Sequence, residues 1–411
     1  MRQFRSLLLR EVQLVAKDHS LLLTLLIAPL LYAFFYGSIY SYKTEEEVPI
    51  AVVDEDHSGL SRLMIQQINN TQMVQVATIT DLSSAREKML RGEVQGFLYI
   101  QKGMEKKVLS LQQADMVLAV NAARFLPSSD VMGTITQVGL TVGAGVRLQY
   151  LQKKGMNTEA SMQEVMPVKP DFRPLFNNRT DYGTFLLPGL LAMILQQTLL
   201  LGLAGGVAAE RQRGGVFFEK KKGPSFQEKT GASFEKKTPP KIKNPSLGTW
   251  MQVAGKNLSI ALYGKGLFYF ILFSCYAFFF LTVNFGVLDL KLLGNPWELA
   301  IVTALFLLSL IPMGVFIGLL FRSQLLCTQL MAFSTYPIFL ITGYTWPIQQ
   351  LPDALKVVSG ILPITPFLSL YQGIVQQGAH ISDRLPELFH LIALWLFYTF
   401  ICLIKMRKLQ S

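Results

Sequence analysis

The chain has 411 residues, of which 51% are hydrophobic and only 16% are charged, with a net charge of +11. Soluble domains carry roughly 25% charged residues, so the composition excludes an ordinary soluble protein and indicates a membrane protein. The three cysteines, Cys275, Cys327 and Cys402, all fall in long apolar stretches, which leaves no disulfide or metal-binding framework.

The N-terminal segment, 1–19, is predicted to be a cytosolic amphipathic helix. Phe4, Leu8, Val12 and Val15 recur at helical spacing, and basic residues lie mostly between them. A basic amphipathic helix before a membrane span lies in the membrane interface. The alternative is a plain cytosolic lead-in.

Six long apolar stretches predict six spanning helices, because a helix needs about 20 apolar residues to cross a bilayer. The first is predicted to remain as an anchor, since it is longer than a signal-peptide core and no small-residue cleavage site follows it. The stretches are 20–42, 182–209, 266–288, 299–321, 323–352 and 388–404.

Segment 43–181 is long enough for one domain and alternates strand-like with helix-like runs. The runs "VPIAVVDED", which ends in acids, "MVQVATI", "GFLYI" and "MVLAV" predict strands, and a long helix is predicted near the end of the segment. The expected fold class is therefore a six-span α-helical membrane protein with an inserted extracytoplasmic α/β domain. Asp54, Glu55 and Asp56 end the first strand, and helix caps or solvated turns are favoured there over a metal site.

Segment 210–265 is basic and is predicted to be a cytosolic coupling loop. Within it, 215–247 is a low-complexity insertion with a tandem, "SFQEKT" and "SFEKKT", followed by "PPKIKNP". Such a composition cannot bury enough apolar surface to order itself. We therefore expect the insertion to be disordered or loosely tethered.

Charge fixes the predicted orientation. With six spans, the segments on the side of the termini sum to +14 and those on the other side to −3. Cytoplasmic segments carry the excess of Lys and Arg, so both termini, including the tail 405–411, are placed in the cytosol. The net charge then reports orientation and does not point to nucleic acid.

The region 266–404 contains spans three to six and a proline-rich apolar part near 343–384 that is too broken to cross the membrane. Irregular backbone at membrane depth persists only where protein or a cavity covers it. Re-entrant or interfacial helices are predicted there.

No nucleotide-binding P-loop, metalloprotease motif or nucleophile elbow occurs in the sequence, and the predicted spans hold no Asp, Glu, Lys or Arg. The second observation argues against an ion-coupled carrier. Uncharged polar residues inside the spans are expected to make contacts between helices or to line a substrate path. They are Gln196, Gln197, Asn284, Thr328 and Gln329.

Three stretches resemble the membrane (permease) subunit of bacterial type-two ABC exporters that carry a large external domain after the first span. They are "IAVVDEDHSGLSRLM", "FNNRTDYGTFLLPGLLAMILQQ" and "YPIFLITGYTWPIQQLPDALKVVSGILPITPFLSLYQGIVQQG". The last is the most specific, through Gly343, Trp346, Pro347, Pro352, Pro363 and Pro366.

The resemblance also implies a short cytosolic coupling helix that sits on a separate ATPase. In this sequence the family's pattern is split: it begins before the insertion and resumes after it. The residues are Glu210, Arg211, Arg213 and Gly214, and then Gly248, Thr249 and Trp250. The alternative role of Glu210 and Arg211 is that of ordinary interfacial anchors.

What the resemblance implies is an exporter half in the bacterial plasma (inner) membrane. The chain would bind no cofactor, since ATP and Mg would lie in partner ABC ATPase subunits. A second permease chain, identical or homologous, would complete the path, and a periplasmic adaptor and outer-membrane channel could dock outside. The cargo would be amphipathic, lipid-like, drug-like or polymeric. The alternative function is a membrane-anchored receptor or envelope-assembly protein that binds a ligand through the external domain.

Overall fold

A computed structural model describes residues 2–40, 46–166, 173, 175–177, 181–219, 250–251 and 257–410. The chain divides into two compact units. The membrane unit is Met1–Lys43 with Pro174–Ser411 and contains the long apolar helices; the sheet unit is Thr44–Arg173. The predicted insertion lies outside the described residues, apart from the helical residues 215–219.

Helix α1 (Arg2–Lys17) buries a face on which Leu7, Glu11 and Val15 recur every four residues. The predicted apolar face is therefore corrected: Val15 is buried, but Val12 is 43% exposed. The buried face is centred on Leu7 because that side chain packs against a later helix, where Glu11 finds a cationic partner.

Helix α2 follows as His19–Leu22, a π-helical turn Leu23–Ile27, and Ala28–Ile39. It occupies the first predicted span, 20–42. Its apolar part, Leu23–Ile39, lies at the short end of the roughly 17–25 residues that cross a bilayer.

The sheet unit contains a four-stranded sheet in the order β2-β1-β3-β4. β1 is parallel to β2 and β3, whereas β4 is antiparallel to β3. The four strands coincide with the four apolar runs of the sequence: β1 Val48–Asp54, β2 Val74–Ile79, β3 Gly96–Ile100 and β4 Met116–Val120.

Five helices accompany the sheet: α3 Gly59–Asn69, α4 Leu82–Arg91, α5 Met104–Leu109, α6 Phe125–Lys153 and α7 Thr158–Val165. Because β1 is central, both of its faces are buried. Ile50 and Val52 pack in the cluster formed with α3, α5 and α6, whereas Ala51 and Val53 pack with α4.

The remaining helices of the membrane unit are α8 Tyr182–Glu219, α9 Leu258–Phe279 with a π-helical turn and a final turn to Val287, α10 Pro296–Leu320, α11 Gln324–Ile341, α12 Asp353–Gly360, α13 Ile364–Gln377 and α14 Leu385–Gln410. In the described part of the chain, five helices are long and apolar enough to span a membrane: α8, α9, α10, α11 and α14. A sixth span results if the bent pair α12–α13 is counted as one.

The helix ends differ from the predicted spans. The candidate spans extend beyond the predicted stretches and include charged residues toward their ends, among them Glu210 in α8 and Lys265 in α9. Both charges are tolerated since they neutralise each other, as described below. The predicted stretch 323–352 also ends early as a helix, at Ile341.

Helix α8 forms the centre of the membrane unit, with most of its residues buried. Helix α11 lies at the periphery and leaves Leu325, Phe333 and Tyr336 exposed. Exposed apolar side chains on a spanning helix are suited to contact lipid or another apolar helix.

Candidate functional site

Four charged side chains meet where α8 nears its end and α9 begins; we call them the ion network. Lys265 Nζ donates to Glu11 Oε1 (3.0 Å) and Oε2 (2.9 Å) and to Glu210 Oε1 (2.8 Å). Arg10 donates to Glu11 Oε1 at 2.8 Å and to Glu210 Oε2. Among the described residues, two cations and two anions therefore balance within this cluster.

The ion network is enclosed by protein. The side chain of Lys265 is 1% exposed, and those of Glu11 and Glu210 are nearly as buried. The Trp250 ring covers Lys265, with Nζ 5.7 Å from the ring centroid. Removing one partner from a buried set leaves an uncompensated charge, so the four residues fix the position of α1 against α8 and α9.

The next two residues of α8, Arg211 and Gln212, bind the end of α10 and the start of α11. Arg211 donates to the backbone oxygens of Leu319 and Phe321, the latter at 3.1 Å, and so satisfies carbonyls at the end of α10. Gln212 Oε1 accepts from the backbone N–H of Gln324 at 3.0 Å, at the start of α11. Three consecutive side chains of α8 thus tie it to α1, α9, α10 and α11.

Of the predicted coupling residues, the structure brings Glu210 and Trp250 together on Lys265 and places Arg211 on α10. Arg213 and Gly214 lie further along α8, and Gly248 and Thr249 lie outside the described residues. The sequence analysis missed Arg10, Glu11 and Lys265. The sequence did carry a signal for two of them. Glu11 lies on the face of α1 that holds Leu7 and Val15, and Lys265 directly precedes the apolar stretch 266–288.

The turn of the re-entrant signature packs against the first turns of α8. Gly343 has φ +86°, a left-handed conformation that glycine adopts without strain, and it turns the chain so that Tyr344 points inward. The ring packs directly on Gly189, where a Cβ would overlap it. The Tyr344 hydroxyl donates to Phe185 O at 2.6 Å.

Gln376 of α13 supplies a hydrogen bond that α8 lacks because of Pro188. Pro188 has no N–H, so the carbonyl of Thr184, four residues earlier, loses its helical partner. Gln376 Nε2 donates to Thr184 O (2.9 Å) and to Phe185 O (3.0 Å). The turn and α13 therefore stabilise the first turns of the central helix.

Three prolines of the signature precede short helices, where a missing N–H costs nothing. Pro347 precedes a 3-10 turn, Pro352 precedes α12 and Pro363 precedes α13. Pro366 lies in the first turn of α13, whereas Trp346 is exposed, as an interfacial aromatic residue would be.

Helices α12 and α13 bend by 79° at a short break, which frees backbone carbonyls. His390 Nε2 donates to Gly360 O, and the Tyr398 hydroxyl donates to Ile361 O, both at 2.8 Å. Both donors belong to α14. Bonds of this kind allow broken backbone to lie at membrane depth.

A cavity of about 360 Å³ lies between α2, α8 and α11. It is lined mostly by apolar and aromatic side chains, with Tyr36 and Met193 on two of the walls and Tyr336, 69% exposed, on the third. Gln197 contributes an amide: its Nε2 donates to Met331 O, and its Oε1 has no partner in the described part of the chain. This combination suits an amphipathic molecule.

The other polar residues of the predicted path lie apart from this cavity lining. Gln196 and Asn284 are buried, and neither side-chain amide has a hydrogen-bond partner among the described residues. The Thr328 hydroxyl donates to its own helix, to Gln324 O and Leu325 O. Gln329 is exposed on α11.

The three acids at the end of β1 all accept hydrogen bonds in the sheet unit. Each accepts hydrogen bonds: Asp54 from Asp56 N, His57 N and Ser61 Oγ; Glu55 from Tyr99; Asp56 from Gly103 N and Glu105 N. A hydrogen bond with Ser58, followed by the bonds at α5, holds the pKa of Asp56 below its ordinary value. Asp54 and Asp56 therefore bind backbone N–H groups, as the capping prediction expects.

Comparisons with known proteins agree on one family. The family described as "ABC-2 family transporter protein" matches residues 19–216 and 243–404. The linearmycin resistance permease protein LnrN of Bacillus subtilis (strain 168) is 22% identical over 402 residues, which cover 91% of each chain. The inner membrane transport permease YhhJ of Escherichia coli (strain K12) is 27% identical over 123 residues, 30% of this chain and 33% of that protein. The gap between the two matched segments, 217–242, falls inside the predicted insertion 215–247.

Proposed function

The chain belongs to the ABC-2 family of transporter proteins as a multi-pass permease subunit, and from this premise we propose that it is one half of an ATP-driven exporter for amphipathic compounds. A separate ATPase supplies the energy, and a second permease chain, identical or homologous, completes the path. The cargo leaves the cytosol or the inner leaflet toward the side that holds the sheet unit.

The cavity between α2, α8 and α11 carries the proposal for the cargo. Its aromatic and aliphatic walls accommodate an apolar body, and the unpaired Oε1 of Gln197 offers one polar contact. The name of the Bacillus subtilis relative, a linearmycin resistance permease, supports a toxic small molecule as cargo.

The ion network and the Arg211 corner support the coupling step. An ATPase that pushes on the segment after α8 would move the end of this helix. Through Glu210 that movement reaches α1 and α9, and through Arg211 it reaches α10. Because α8 also lines the cavity, a displacement at its end changes the walls that hold the cargo.

Transport by purified permease and ATPase in proteoliposomes tests the proposal, with a panel of amphipathic compounds as cargo. Met193→Trp fills the cavity and should reduce ATP-dependent transport at least about tenfold, while the complex still assembles. Phe333→Trp changes an exposed residue of α11 outside the cavity lining and serves as the matched control. Unchanged transport by Met193→Trp, or absence of any ATP-dependent transport, contradicts the proposal.

Coupling is tested separately with Arg211→Gln. This variant should keep ATP hydrolysis but lose transport, because the end of α10 no longer follows α8. Arg322→Gln removes an exposed arginine from the same corner and should behave as the wild type. Normal transport by Arg211→Gln would leave Arg211 as a helix cap with no role in coupling.

A further inference from the structure

A second cavity, of about 530 Å³, lies between the turn after α11, helices α12 and α13, and the start of α14. Its lining contains one cation, Lys356, and one anion, Glu387. Uncharged polar side chains, among them Ser369 and Gln372, line the wall between the helices. The volume is that of a small-molecule site, and the two charges of opposite sign in its lining distinguish it from the apolar cavity beside α8.

Lys356 is available to a ligand. Its only ion pair in the described part of the chain joins Nζ to Asp353 Oδ1 at 2.9 Å, and the Asp353 side chain is 97% exposed. An exposed pair of this kind contributes little to stability. A phosphate can therefore replace the Asp353 carboxylate at little cost.

One carboxylate oxygen of Glu387 is open to a ligand. Its Oε1 accepts from Ser369 Oγ at 3.4 Å, and Oε2 makes no hydrogen bond within the described residues. The nearby Arg384 does not neutralise it directly, since its guanidinium donates to Ser369 Oγ (2.9 Å) and Gln377 Oε1 (2.7 Å). The free oxygen of Glu387 suits a ligand that donates a hydrogen bond from a positive group.

The surroundings of the cavity are those of a membrane interface. Helix α12 turns Lys356 and Ser359 to the cavity, whereas Val357 and Val358 are exposed. Trp346 is exposed on the adjoining turn. An amphipathic helix and an exposed tryptophan are typical of the level at which lipid head groups meet acyl chains.

We propose that this cavity binds the head group of a zwitterionic phospholipid that carries a primary amine. The phosphate contacts Lys356, the ammonium group contacts Glu387, and the acyl chains lie along the exposed apolar face of α12. A purely anionic head group would place a second negative charge near Glu387. A choline head group would offer that carboxylate no N–H donor.

Binding of short-chain phospholipids to the detergent-purified chain tests this assignment. Dihexanoyl phosphatidylethanolamine should bind at least about tenfold more tightly than the phosphatidylglycerol and phosphatidylcholine of the same chain length, a difference of roughly 1.4 kcal/mol. Glu387→Gln should remove this preference, because it removes the acceptor for the ammonium group, whereas Lys356→Gln should weaken the binding of all three lipids, because each carries the phosphate. Lys291→Gln, at an exposed lysine outside the cavity lining, should retain it.

Free glycerophosphoethanolamine separates the head group from the lipid as the source of recognition and should compete with the bound lipid. Equal affinity for the three lipids, wild-type preference in Glu387→Gln, wild-type affinities in Lys356→Gln, or failure of the free head group to compete would each overturn the proposal. Thermal unfolding of each variant checks that it is folded. The assay needs neither ATPase nor cargo, so its outcome is independent of the transport experiment.

Discussion

Lys265 is a positive charge on a spanning helix, held by two carboxylates and covered by an indole ring. Taking an ammonium group out of water costs several kcal/mol, which only close anions and complete hydrogen bonding offset. Arg10 supplies the second cation, without which the two carboxylates would exceed the positive charge. The stability of this end of the unit therefore depends on the set as a whole.

We expect Lys265→Met to lower the free energy of unfolding by roughly 3–5 kcal/mol, because it leaves two buried carboxylates opposite one arginine. Adding Glu210→Gln should recover part of the loss, since Arg10 and Glu11 then remain as a balanced pair. Denaturant unfolding of the purified variants measures both effects, with Lys291→Met as the exposed-lysine control. Wild-type stability in Lys265→Met would show that the network contributes little.

The family's coupling-loop pattern drew attention to Glu210, Arg211 and Trp250 in the sequence, but not to the residues that they contact. Glu11 and Lys265 are 254 residues apart, and Arg10 and Glu210 are 200 apart. No local periodicity relates such positions, and charges at a predicted helix end are usually explained by the membrane surface. Only the packing of α1 against α9 shows that they meet.

At the scale of elements, the start of α8 depends on a side chain from another helix. Gln376→Leu should lower the free energy of unfolding by about 1–3 kcal/mol, because it leaves the Thr184 carbonyl without a donor. Pro188→Ala restores the N–H that this carbonyl lost, so Gln376→Leu should cost much less in that background. Thermal unfolding of the four variants forms a double-mutant cycle, and strict additivity would argue against this pairing.

The insertion 215–247 is expected to be an accessory to the coupling element. It carries eight Lys and three Glu, and ordering it would cost about 1–2 kcal/mol per residue. Its charge can instead hold it near anionic lipid. Joining Gly214 directly to Gly248 should preserve assembly with the ATPase and at least partial export.

Co-purification of the ATPase with the shortened chain measures this outcome, with membrane insertion checked in parallel. Loss of ATPase binding in a normally inserted chain would identify the tract as the docking element. The prediction that the family's pattern is split at this point would then be wrong.

The elements could be predicted where the pattern is local and strong. The four strands coincide with short apolar runs, and α8, α9, α10, α11 and α14 overlap five of the six predicted spans. The ends of the helices were harder to predict. Helix α9 begins at Leu258, before Lys265, because the pairing of Lys265 with Glu11 lets the helix carry a buried charge. The buried face of α1 could not be predicted either, since Leu7 is buried through its packing on Gly264 of α9, a residue far away in the sequence.

For the whole molecule, the charge distribution of +14 against −3 predicts that the sheet unit lies outside and the basic insertion inside. In a background with Cys275, Cys327 and Cys402 replaced by alanine, single cysteines at Ser110 and Ser225 should react from opposite faces. Membrane-impermeant maleimide applied to intact cells or spheroplasts should label only the first. Labelling of the Ser225 variant from outside would reverse the topology.

The ion network has an electrical consequence for a moving transporter. Moving one net elementary charge through the full membrane potential requires about 2.3 kcal/mol per 100 mV. Arg10, Glu11, Glu210 and Lys265 together carry no net charge, so the cluster can shift as a body within that field with almost no work. If the proposed ATPase pushes at this corner, the resulting displacement would depend little on whether the membrane is energised or depolarised.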